Sequence, residues 1–68
     1  MLSMSLAAAR VNAGFSQREA AKRLNVTQKT LCSWEKARTF PKPEQIEKIC
    51  ELYGVTYEQI NFFNPKTA

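Results

Sequence analysis

Gln28, Lys29 and Ser33 stand at i, i+1 and i+5, which places them side by side on one face of a helix. Their tips are an amide, an ammonium and a hydroxyl, with no carboxylate among them. Thr27 and Thr30 add hydroxyls at the same helix start. Groups of this kind recognise an acceptor-rich surface. An amide can pair bidentately with an adenine edge, an ammonium can reach guanine O6 and N7, and a hydroxyl serves either partner or a thymine methyl. The first turn of a helix adds free backbone N–H groups and the positive end of the dipole, so this face favours phosphate and base acceptors. Blander uses stay open. Lys29 can be a solvated charge or a phosphate ligand, and Ser33 a small residue that permits close approach.

Other chemistries lack their residues. The chain has no His and no Asp, which removes the commonest general base and the commonest zinc ligand. Cys32 and Cys50 form no CxxC spacing, and Gly14 and Gly54 make no glycine-rich phosphate loop. No enzyme activity, metal or cofactor is expected. Ten Lys and Arg against six Glu give a net charge of +4 in 68 residues, an excess that favours a polyanionic partner. Both cysteines fall inside amphipathic helical patterns, where they read as small hydrophobes in a reduced, cytoplasmic protein. The opening "MLSMSLAAARVNAG" reads as a helix with one wet face, neither an export signal nor a membrane span.

Short helices must position the donor face. Apolar residues recur at three and four, never two, so an all-α chain without strands is predicted. Helix one runs from a Ser3 or Ser5 cap to about Asn12 or Ala13, closed by Gly14 in the left-handed conformation. "SQRE" opens helix two as a capping box of Ser16 and Glu19, and Ala20, Ala21 and Leu24 form its inward stripe. Asn25 ends it where a positive φ is wanted, and Thr27 caps helix three at once. With two residues between them, the helices meet at a steep corner filled by Leu24, Val26 and Leu31, a helix-turn-helix shape. Trp34 shares the inward stripe with Leu31 and is assigned to packing. Pro41 and Pro43 break the chain, and Pro43 starts helix four, which ends at Gly54. "TYEQINF" is read as a brief fifth helix. Residues 1–63 are read as one domain and 64–68 as a loose tail.

The stretch "SQREAAKRLNVTQKTLCSWEKARTFPKPEQIEKICELYGVTYEQI" resembles the Cro/cI-type, or XRE-type, helix-turn-helix family of phage and bacterial regulators. The likeness covers roughly Leu6 to Ile60, beyond the reach of a lone motif. Its specific points are Ser16 and Gln17, the Ala20–Ala21 pair, Leu24, Val26 and Thr27, Leu31, Trp34 and Glu35, Pro41, and "YGVT" from Tyr53. Asn25 departs from a position where the family most often has glycine, and "KART" after Glu35 departs from a loop where the family commonly has a glycine near Ala37. The resemblance implies a compact bundle of five short helices, a lambda-repressor-like DNA-binding domain with its helix-turn-helix at helices two and three. It implies that Gln28, Lys29 and Ser33 face base edges. Gln17 would bind a backbone phosphate, Thr27 and Thr30 would divide between capping and backbone contact, and Lys36, Arg38 and Lys42 would hold flanking backbone. Arg10 and Glu35 match positions that form a partly buried ion pair.

The implied partner is a double-stranded DNA operator. A single module of this size covers too little DNA for tight selective binding, so a weak homodimer, formed fully only on DNA, is expected. Phe40, Phe62 and Phe63 offer apolar surface for it, although "INFF" can equally fold back onto the core. No membrane or small-molecule ligand is implied. A repressor of phage or prophage type is the first functional reading. A protein-binding module, such as an antirepressor or antitoxin on the same scaffold, is the second.

Overall fold

The helices start where side chains can occupy free backbone N–H groups. The computed structural model describes residues 4–62. Within them, α1 spans Leu6–Asn12, α2 Gln17–Arg23, α3 Gln28–Glu35 and α4 Pro43–Tyr53. Ser5 Oγ accepts from the Ala8 N–H, Ser16 Oγ from Glu19 and Thr27 Oγ1 from Thr30, each at 3.1 Å. These bonds satisfy donors that the first helical turn leaves without partners. At α4 the arrangement is reversed: Gln45 Oε1 reaches back to the Lys42 N–H at 2.9 Å, and Pro43 opens the helix, where its missing N–H leaves no helical bond unmade. Ser3, the other proposed cap for the first helix, lies outside the described residues.

The helices stop in a shared way. Gly14, Asn25, Ala37 and Gly54 all have positive φ, at 86°, 60°, 58° and 69°. At each, the following N–H reaches back to a carbonyl of the last turn: Phe15 to Arg10, Val26 to Ala21, Arg38 to Ser33 and Val55 to Cys50, at 3.0–3.1 Å. This closure satisfies end carbonyls and turns the chain sharply. At the second closure it leaves only residues 24–27 between α2 and α3, so the two helices form a tight corner. Ala21 both accepts the Val26 N–H and is 3% exposed against the core, so its small side chain lets that corner close.

Leu6, Leu31 and Ile49, from α1, α3 and α4, are the largest fully buried side chains and mark the centre of the core. Ala20 and Ala21 bring α2 close, and Trp34 is buried with them, not offered to solvent. Each buried aliphatic side chain contributes roughly 1.5–3 kcal/mol relative to exposure, a sizeable share of the stability of so small a chain.

Two expectations are corrected. The described residues form four α-helices, not five: the segment after Thr56 makes only a three-residue 3-10 turn, Tyr57–Gln59. Ile60 is then extended, with φ −113° and ψ 134°. One turn cannot offset the nucleation cost of a helix, and short 3-10 pieces are the common outcome. Nor is the chain free of strands. β1 (Met4–Ser5) and β2 (Ile60–Asn61) pair in parallel, Met4 opposite Ile60 and Ser5 opposite Asn61. Two residues are too few to show a period of two, so the pairing left no pattern to read. Among the described residues, no helix is long and apolar enough to cross a membrane, and no group of three His, Cys, Asp or Glu is placed to hold a metal ion. Phe63 and residues 64–68 lie outside the described residues.

Ala37 occupies a conformation that costs an L-residue about 1–2 kcal/mol. Glycine removes that cost but adds freedom to the unfolded chain, worth about 0.4–1 kcal/mol in the other direction. Ala37→Gly is therefore expected to stabilise the fold by roughly 0.5–1 kcal/mol, read as a higher urea midpoint at unchanged slope. A lower midpoint would show that the alanine methyl is packed more favourably than its backbone is strained.

Candidate nucleic-acid interface

The exposed side of α3 and the loop after it carries one sign of charge. Between Asn25 and Pro43 the cations are Lys29, Lys36, Arg38 and Lys42, all exposed, and the one carboxylate is Glu35. Glu35 is turned inward and 9% exposed. Its Oε2 accepts from Arg10 Nε at 2.8 Å and its Oε1 from Gln17 Nε2 at 3.0 Å. Arg10 also donates from Nη1 to the Phe15 carbonyl at 2.8 Å. One buried acid therefore joins α1, the start of α2 and the end of α3. Its removal from the surface leaves a face that no carboxylate screens from phosphate.

Gln28 and Lys29 are exposed on the first turn of α3, and Ser33 is half-buried one turn further on. Gln28 Nε2 donates to Gln17 Oε1 at 3.3 Å, which continues the line Arg10–Glu35–Gln17 out to the surface. Gln17 is half-buried and bonded on both ends of its amide, a placement that sequence spacing did not reveal. Thr27 and Thr30 are engaged with each other: besides the capping bond, their hydroxyls lie 2.9 Å apart. Lys36 caps the end of α3, Arg38 follows the left-handed Ala37, and Lys42 precedes α4, so the three sit around the α3 exit and the loop beyond it.

The three phenylalanines expected to offer dimer surface separate. Phe40 is 53% exposed in the loop after α3. Phe62 is 5% exposed, folded back into the core and stacked on Tyr57 at 5.6 Å between centroids. Phe63 lies outside the described residues. Cys32 and Cys50 are free thiols, both half-buried, and burial pushes the Cys50 thiol up from its ordinary value.

Two cations escaped the reading from sequence. Arg18 and Lys22, exposed on α2, share a groove with Gln28 between α2 and the start of α3. Their i, i+4 spacing opposite the stripe of Ala20, Ala21 and Leu24 was the available signal. Behind the ion pair lies Tyr53, a buried phenol whose oxygen has no hydrogen-bond partner. Burial pushes it up to about 12, the Glu35 carboxylate adds to the shift and the Arg10 guanidinium opposes it.

A family model described as a helix-turn-helix domain matches residues 2–62. No curated protein and no solved structure matches the chain.

Removing one partner of a buried pair leaves the other charge uncompensated, so Glu35→Ala is expected to destabilise the fold by about 3 kcal/mol, measured by urea unfolding. A loss below about 1 kcal/mol would reduce the pair to an ordinary surface contact. Tyr53 titrates higher when folded, so above pH 10 the unfolded chain releases its proton first and stability falls with rising pH, up to about 1.4 kcal/mol per unit, until the folded phenol ionises near 12. Tyr53→Phe should flatten stability between pH 10 and 12 and leave neutral-pH stability unchanged or higher. An unaltered alkaline slope would assign it to other groups.

Proposed function

The chain belongs to the helix-turn-helix domain family, and on that premise we propose that it is a small transcriptional regulator that binds double-stranded DNA sequence-specifically. In this reading α3 enters the major groove, which admits one α-helix. Gln28, Lys29 and Ser33 read base edges. Lys36, Arg38 and Lys42 hold the flanking backbone, with Gln17, Thr27 and Thr30 beside the strand that α2 approaches. The observation that carries the reading is the face itself: amide, ammonium and hydroxyl groups lie on the first turns of α3, and its one acid is withdrawn into an ion pair. A protein-binding face would be expected to carry aromatic anchors, and α3 has only Trp34, which is buried.

Size supports action in pairs. The longest dimension of the molecule is 30 Å, and successive major-groove entries on one side of DNA lie about 34 Å apart. One copy therefore covers one half-site, and two copies are required for a two-part operator. Phe40, beside the α3 exit, is the exposed large apolar residue nearest that face in sequence among the described residues. Such a protein, acting in the cytoplasm of a bacterial or phage-infected cell, represses by occupying promoter DNA.

Gel mobility shift on DNA upstream of its own gene, at two salt concentrations, tests the reading. Specific retardation that weakens steeply with salt is expected. Lys29→Ala should relax preference at one base pair by about 1–3 kcal/mol, whereas Lys36→Ala should weaken all sites alike. Retardation of every fragment to the same extent would sink sequence-specific regulation. Uniform loss in both variants would instead overturn the division between base and backbone contacts.

A further inference from the structure

A groove of about 550 Å³ runs between α2 and the first turn of α3. Arg18 and Lys22 form one wall, Asn25, Thr27 and Gln28 the other, over a floor of Ala21 and Val26. No carboxylate lines it. Both cations are exposed, and among the described residues neither takes part in an ion pair, the Arg10–Glu35 bridge being the one salt bridge present. Two free charges one helical turn apart repel each other mildly, so their placement favours an anion that both can reach.

We propose that this groove seats the sugar–phosphate backbone of a bound DNA strand, with Arg18 and Lys22 each taking a phosphate beyond the contacts made by α3 and the loop after it. The inference rests on the DNA-binding reading and extends its footprint along α2, past Gln17, to Arg18 and Lys22. Three features select a nucleic-acid backbone over a single small anion or a protein. The groove is open to solvent, so a chain-like polyanion can lie in it. Gln28 belongs both to its wall and to the donor face of α3, so a strand lying along it continues directly from the proposed base contacts. The floor offers only Ala21 and Val26, without the large aromatic anchors that a protein partner would bury. Arg18 and Lys22, at i and i+4, have Cβ atoms about 5–6 Å apart, and their long side chains spread that spacing to neighbouring phosphates of one strand.

The test is the salt dependence of binding, measured by fluorescence anisotropy on the retarded operator fragment. Deleting a single phosphate ligand lowers the slope of log K against log[salt] by about 0.9. Arg18→Ala and Lys22→Ala should each lower it by about that amount while keeping the ranking of operator variants. Lys48→Ala removes the same charge from the separate groove formed with Phe15, Arg23, Leu24, Glu51 and Leu52, and should leave the slope near that of the unaltered protein. Equal slope changes in all three would reduce the effect to net charge and overturn the proposal. Unchanged slopes in Arg18→Ala and Lys22→Ala would overturn it too. If promoter output then responds to these two substitutions, the groove meets another protein. Failure of the unaltered protein to discriminate any sequence is a different result, and it would remove the regulatory reading itself.

Discussion

The carboxylate of Glu35 is the point on which the geometry of the exposed α3 face depends. Both oxygens are engaged, one by Arg10 of α1 and the other by Gln17 of α2. Arg10 in turn holds the carbonyl of Phe15, which fixes the path of the chain between α1 and α2. Burying a charged pair takes away hydration that their attraction only partly restores, so such a pair is a weak source of net stability. Its effect here is orientation. Leu6, Leu31 and Ile49 would pack with α3 slid or rotated by a few degrees, because apolar contact is non-directional. A carboxylate with two fixed donors is directional, and it selects one setting of α3 against α1 and α2.

The same pair sorts charge. An acid exposed near the end of α3 would repel the phosphate that the proposed docking brings there, yet the half-buried guanidinium of Arg10 needs an anion to neutralise it. Turning Glu35 inward satisfies both demands at once. The remaining glutamates of the described residues lie on α2, α4 and the turn after it, at Glu19, Glu44, Glu47, Glu51 and Glu58. The chain is thus asymmetric in charge although its excess is modest, and the field that a polyanion meets is set by that separation more than by the net count.

Much of the fold was legible because it depends on neighbours in the chain. Ser5, Ser16 and Thr27 cap helices by a residue-type rule, and Gly14, Asn25 and Gly54 close them by another. Ala37 shows the limit of the second rule: its backbone is the same, but nothing in alanine announces a positive φ. The β1–β2 pairing and the extended Ile60 were hidden because they join residues more than fifty positions apart through two residues each. The bond between Gln17 and Gln28 was hidden for a related reason. Spacing can say that two residues sit on helix faces, but it cannot say that the corner at Asn25 brings those faces within hydrogen-bond reach. Family resemblance supplied the pairing of Arg10 and Glu35. Arg18 and Lys22 show an i, i+4 spacing in the sequence, but on a two-turn helix that spacing marks only a wet face. The groove they line exists only once α3 has turned back beside α2.

The bond from Gln17 to Gln28 has a consequence for how α3 would read DNA under the proposed docking. An amide that pairs with adenine must present one donor and one acceptor together. Gln28 commits a single N–H to Gln17 Oε1, and it retains its own carbonyl oxygen and its second N–H. The side chain is therefore tethered without losing either half of its pairing edge, and less rotamer entropy remains to be lost on binding. Lys29 has no such tether, and an ammonium on four methylenes accepts many geometries. Under that docking, one helical turn would present a held reader, Gln28, and a free one, Lys29. Discrimination should be sharper at the base pair facing Gln28 than at the one facing Lys29, because selectivity comes from the wrong partner leaving a fixed group unpaired, and a mobile group can move away.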